Sequence, residues 1–147
     1  MLRSLVGSEM CIRDRFYLTG TWSSARAGSL VARIGHGKTL FASAVLFALG
    51  IALCAGNLPL TLLGMIAFTG GFFAVHSTAS GWVGQIATHD RAEASSMYVF
   101  CYYFGSSVVG ACAGLLFDAL SWPLFIAFFT AVALALTALT WTKIKSD

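Results

Sequence analysis

An apolar run starts near Leu58 and meets no charge until Asp90. Roughly 20 apolar residues cross a bilayer core, so this run is long enough to span one. His76 lies inside it. Histidine ordinarily titrates near neutrality, and here it is the one intramembrane side chain suited to taking up and releasing a proton. On a helix, His76, Ser80 and Gly84 fall four apart and share a face, with Ser77, Gly81 and Gln85 in the adjacent row. Unpaired polar groups are costly in hydrocarbon, so this face must meet other helices or a water-filled cavity. Two roles fit His76: a proton carrier, or a hydrogen-bond partner for a neighbouring helix that never titrates.

A second polar face lies downstream. Tyr98, Tyr102 and Ser106 make one row of hydroxyls, and Ser96, Tyr103, Ser107, Gly110 and Gly114 make a neighbouring stripe. Gly110 and Gly114 form a Gly-x-x-x-Gly element, a spacing that lets two membrane helices approach closely. Arg26 sits in an earlier, more polar stretch with Thr19, Thr21, Ser23 and Ser24. It either snorkels to an interface or lines a cavity.

The elements that would carry these residues are all helical. The chain is 58% hydrophobic and 10% charged, with a mean hydropathy of +0.81. Soluble domains carry about 25% charged residues, so a membrane protein is indicated. Spans are expected at about 16–32, 40–56, 58–87, 94–119 and 123–141, an all-α polytopic transmembrane bundle. Gly56-Asn57-Leu58-Pro59 is a turn signal, with Pro59 tolerated in the first turn of a helix whose Gly64, Gly70 and Gly71 permit close helix approach. Arg33–Thr39 and Thr88–Ala92 read as short polar loops. The span from Pro123 is almost wholly apolar and suits lipid, with Trp122 and Trp141 at the interfaces.

Arg33, Lys38, Arg91, Lys143 and Lys145 fall on one side of this arrangement, whereas the other side carries Asp118. The positive-inside rule makes the first side, and the C-terminus, cytoplasmic. A net charge of +3, scattered along the chain, does not suit a nucleic-acid binder. Cys11, Cys54, Cys101 and Cys112 lack metal-ligand spacing, and no cofactor or metal is expected. Gly37-Lys38-Thr39 ends like a phosphate-binding loop, but Ala32 stands where the motif needs glycine and no strand precedes it. His89 and Asp90 lie more than ten residues from His76, so the three do not make a catalytic set, and no enzyme is expected.

Residues 1–15 hold five of the fifteen charges and differ in character from everything after them. Leu5–Arg15, with its Met-Cys-Ile-Arg-Asp core, resembles a translated sequencing adapter. The segment is therefore expected to be non-native, with the natural protein beginning further upstream and residues 16–147 forming its C-terminal membrane domain.

Gly28-Ser-Leu-Val-Ala-Arg33-Ile-Gly35-His-Gly-Lys38 resembles the Gly-x-x-x-Asp-Arg-x-Gly-Arg-Arg loop signature of the major facilitator superfamily. Gly28, Arg33, Gly35 and Lys38 fit that signature. Ala32 replaces the acid, as in the looser second copy between helices 8 and 9. Phe72–Ser77, Ala94–Ser96 and Tyr102–Ser107 are similar to the YNFM-type transporters of that superfamily. The resemblance implies helices 8 (partial) to 12 of a twelve-helix fold, in a bacterial inner membrane. It implies alternating access between two halves, proton-coupled efflux of a small molecule, and a missing N-terminal half as partner. It places helices 8, 10 and 11 against the central cavity and 9 and 12 outside. Arg26, His76, Ser80, Tyr98, Tyr102 and Tyr103 are then candidates for a substrate or proton path, and Gly105, Gly110 and Gly114 for helix packing. On this reading the 147 residues alone do not transport. The rival reading is a small, non-transporting membrane module.

Overall fold

The computed structural model describes the backbone of residues 2–146 and the side chains of residues 17–142. Five helices account for nearly all of it: α1 (Leu2–Ile34), α2 (His36–Leu53), α3 (Leu58–Ile86), α4 (Arg91–Ala119) and α5 (Trp122–Ser146). No strand occurs among the described residues. Four helices, α2 to α5, are long and apolar enough to cross a membrane. Among the described residues α1 does not reach that standard, because Thr19, Thr21, Ser23, Ser24, Ser29 and Arg33 crowd its second half. Two of its serines are instead spent on α3. Ser23 Oγ donates to the Gly70 carbonyl oxygen at 2.6 Å, and Ser24 Oγ to that of Phe73 at 3.5 Å. The side chains behind the adapter-like reading of residues 1–15 lie outside the described residues.

The expected loop Arg33–Thr39 shrinks to one residue. Gly35 alone separates α1 from α2, at φ 86° and ψ 165°, a conformation essentially confined to glycine. Thr39, the last residue of that expected loop, joins the helix with its hydroxyl satisfied within it, as does Ser43 one turn on. Thr39 Oγ1 donates to the Gly35 carbonyl at 2.8 Å, and Ser43 Oγ to that of Thr39 at 2.8 Å. Thr39, read from the sequence as loop, is 1% exposed. At the α2–α3 turn, Asn57 caps α3 by accepting from the Leu60 N–H at 3.3 Å, with Pro59 in the first turn. At the α3–α4 turn, Asp90 takes a left-handed conformation (φ 53°), which a short polar side chain tolerates.

The core of the packing is the antiparallel seam between α2 and α3. Phe47 stacks on Phe68 with ring centroids 5.0 Å apart. The backbones meet at glycines. A Cβ at Gly50 would strike the Phe68 backbone, one at Gly64 would come within 2.7 Å of the Gly50 carbonyl oxygen, and one at Gly71 within 2.5 Å of the Phe47 nitrogen. On its other side α2 runs antiparallel to α5. Trp122 Nε1–H donates to the Cys54 carbonyl at 3.1 Å at one end, and Phe41 and Trp141 rings lie 4.9 Å apart at the other.

α4 contrasts with this. It buries no residue, packs on α3 and touches α5 near the turn, through Phe117 against Trp122 and Phe125. Nothing lies within 4 Å of a Cβ built at Gly105, Gly110 or Gly114. Helix packing at those three glycines thus has no partner among the described residues. The close approaches fall on α2 and α3 instead.

Candidate functional site

α3 is the helix that positions the site, since α1, α2 and α4 all pack on it. Phe72 and His76 lie one turn apart on α3, their rings nearly parallel with centroids 6.2 Å apart. α4 brings Tyr98 and Tyr102, also one turn apart, against that face. The Tyr98 hydroxyl lies 3.0 Å from His76 Nδ1 and 3.3 Å from the His76 carbonyl oxygen. The Tyr102 ring sits 4.5 Å from the imidazole, centroid to centroid. α1 adds Tyr17, edge-on to Phe73 at 6.3 Å.

Between these three helices lies a pocket of about 530 Å³, lined by Tyr17, Met65, Phe68, Thr69, Phe72, Phe73, His76, Tyr102 and Tyr103. No lining residue is an acid, a lysine or an arginine. Neighbouring rings meet at steep angles, 84° for Phe72 and Phe73 and 68° for Tyr102 and Tyr103, so the walls present both ring faces and ring edges.

The six candidates for a substrate or proton path therefore separate. His76, Tyr102 and Tyr103 line one pocket, and Tyr98 joins them through the imidazole. Ser80 lies outside it and donates to the Ser77 carbonyl of its own helix at 3.3 Å. Arg26 belongs to a different recess of about 290 Å³ between α1, α2 and α3, where its guanidinium sits 4.9 Å from the centre of the Trp22 ring. Tyr17 and Arg26 are nine residues apart, about 13 Å along a helix. Of the loop-signature positions, Gly35 makes the α1–α2 turn, and a Cβ at Gly28 would meet nothing within 4 Å.

Sequence reasoning missed Tyr17, Phe72 and Phe73 as site residues. Phe72 carried a usable signal, because it stands four residues before His76 on the same helical face. Tyr17 carried none, since its place depends on how α1 crosses α3.

The sequence profile of the Major Facilitator Superfamily matches residues 7–146. The chain belongs to that superfamily. It is 42% identical over 106 residues to the uncharacterized MFS-type transporter YybF of Bacillus subtilis (strain 168), an alignment covering 71% of this chain and 26% of YybF. It is 38% identical over 129 residues to the inner membrane transport protein YnfM of Escherichia coli (strain K12), covering 87% of this chain and 31% of YnfM. An uncharacterized transporter of Buchnera aphidicola subsp. Schizaphis graminum shares 36% identity over 142 residues, 96% of this chain and 34% of that protein. The chain thus spans about a quarter to a third of the length of these curated relatives. No solved structure matches it. Membership and the four long apolar helices make this a multi-pass membrane protein of a transporter family.

Proposed function

We propose that the chain is the C-terminal part of a secondary carrier, and that the pocket between α1, α3 and α4 is its share of the path for substrate and protons. The observation that carries this reading is the meeting of His76, Tyr102 and Tyr103 around one pocket, on helices otherwise composed for lipid. A helix built only for packing has no need of an imidazole there. Transport proceeds by alternating access against an N-terminal half, outward, with protons as the coupling ion. Arg26 and Ser80, which lie outside this pocket, are secondary path residues. The basic turns and the C-terminus face the cytoplasm of a bacterial inner membrane. The 147 residues lack the partner half and do not transport alone.

The pocket also favours a class of substrate. It offers ring faces and hydroxyls but no lysine or arginine as a fixed counter-charge for an anion. A flat aromatic molecule, neutral or singly positive, matches that lining.

The test starts with the native locus upstream of the Phe16 codon, which also decides whether residues 1–15 are native. The recovered reading frame is expressed, and everted vesicles are energised to hold a pH gradient. Ethidium and an uncharged aromatic dye are then added. The carrier reading expects one of them to dissipate the gradient with the recovered frame, much less with its His76→Gln variant, and not with the 147-residue chain. A start codon just upstream of Phe16, or transport by the 147 residues alone, overturns it.

A further inference from the structure

Tyr98 makes two contacts with one residue, and a phenol can satisfy both only one way round. Its hydroxyl carries one proton and can accept in addition. Suppose the Tyr98 O–H donates to His76 Nδ1 at 3.0 Å. Its oxygen then faces the His76 carbonyl at 3.3 Å with no proton between them. Suppose instead that Nδ1 carries hydrogen and donates to the Tyr98 oxygen. The phenolic O–H is then free to donate to the carbonyl, and both contacts become hydrogen bonds. Ser80 Oγ does not compete for that carbonyl, because it bonds Ser77.

We propose that Tyr98 is a positioning residue that fixes the His76 imidazole with hydrogen on Nδ1, leaving the Nε2 lone pair as the proton-accepting atom. The relay Nδ1–H···Oη–H···O=C is then the same whether or not Nε2 is protonated. A proton from the pocket forms the Nε2–H bond and makes the ring an imidazolium. Its release returns the lone pair, and no other hydrogen bond reverses. The hydrogen bond that one ring nitrogen makes commonly settles which nitrogen reacts. The titratable groups facing His76 are Tyr98 and Tyr102 from α4. Tyr17 of α1 and Tyr103 of α4 line the same pocket, to which α3 brings no second titratable group. The inference rests on the proton role proposed for His76, but the tautomer can be measured without transport.

The experiment is nitrogen NMR of the 147-residue chain in lipid nanodiscs with ring-15N histidine, His36 and His89 being assigned through His36→Asn and His89→Asn. In the unaltered chain at high pH, His76 is expected as the Nδ1–H form, opposite to the Nε2–H form that free histidine prefers in water. Tyr98→Phe keeps the ring and removes the relay. It is expected to return His76 to the Nε2–H form and to lower its proton affinity about tenfold. An Nε2–H form in the unaltered chain overturns the proposal, even should Tyr98→Phe fail to fold. So does a Tyr98→Phe variant with unchanged tautomer and affinity. If His76 is Nδ1–H but takes no proton between about pH 5 and 9, the tautomer assignment stands and proton carriage in the proposed function fails.

Discussion

The two sides of α3 are built to different ends. Toward α2, glycine meets backbone: Gly64 and Gly71 receive α2 so closely that a single added carbon would collide. Toward α4, aromatic rings and one imidazole meet around an open pocket, and α4 buries nothing. The first side removes space and the second keeps it. Close packing holds membrane helices together where lipid gives little hydrophobic drive. A solute path needs the opposite, groups held in place around room they do not fill. One helix therefore serves as scaffold along one edge and as a wall of the proposed path along the other.

The largest expected break of this contrast is steric. Gly50→Leu or Gly71→Leu should destabilise the chain by about 3 kcal/mol, since backbone atoms of the facing helix would have to move. Gly110→Leu, with open space around it, should change stability by less than about 0.5 kcal/mol. Thermal unfolding of the three variants in detergent checks the pair, and equal losses would erase the distinction between the two sides. Next in size is the turn. Gly35→Ala should cost about 2 kcal/mol in the same measurement, because φ 86° with ψ 165° strains any residue with a Cβ.

A smaller effect lies at the far end of the scaffold. Trp122→Phe removes the N–H that reaches the Cys54 carbonyl and should cost about 1 kcal/mol. The smallest expected effect has the opposite sign. Thr78 is 4% exposed and its hydroxyl finds no partner among the described residues, so Thr78→Val should be neutral or stabilise by up to about 1 kcal/mol. A marked loss of stability in Thr78→Val would show that the hydroxyl is bonded after all.

Much of this was legible in the residues. Repeats of four put His76 and Ser80 on one face of α3 and Tyr98 and Tyr102 on one face of α4, and Asn57-Leu-Pro59 marked where α3 begins. What stayed hidden depended on partners. Thr39 looked like a loop residue because a polar side chain does not reveal that it will bond its own helix four residues back. Gly64 and Gly71 were readable as close-approach positions and α2 does meet them, whereas Gly50 was not singled out and the Gly-x-x-x-Gly spacing also pointed at Gly110 and Gly114, where nothing among the described residues approaches. Glycine shows where a neighbour can come close, not which neighbour arrives. Tyr17 joined the site through the crossing of two helices, which no local pattern encodes.

On the proposed function, the α3–α4 side is a solute path and the α2–α5 side is not. The direct test is thiol labelling of single cysteines in the recovered full reading frame, with the native cysteines replaced. Tyr103→Cys stands on the pocket wall, and Leu136→Cys stands on α5 in the apolar recess beside α2 and α3. A membrane-impermeant, water-soluble maleimide should label Tyr103→Cys readily and leave Leu136→Cys unlabelled. Equal protection of both, or labelling of Leu136→Cys alone, would contradict the account.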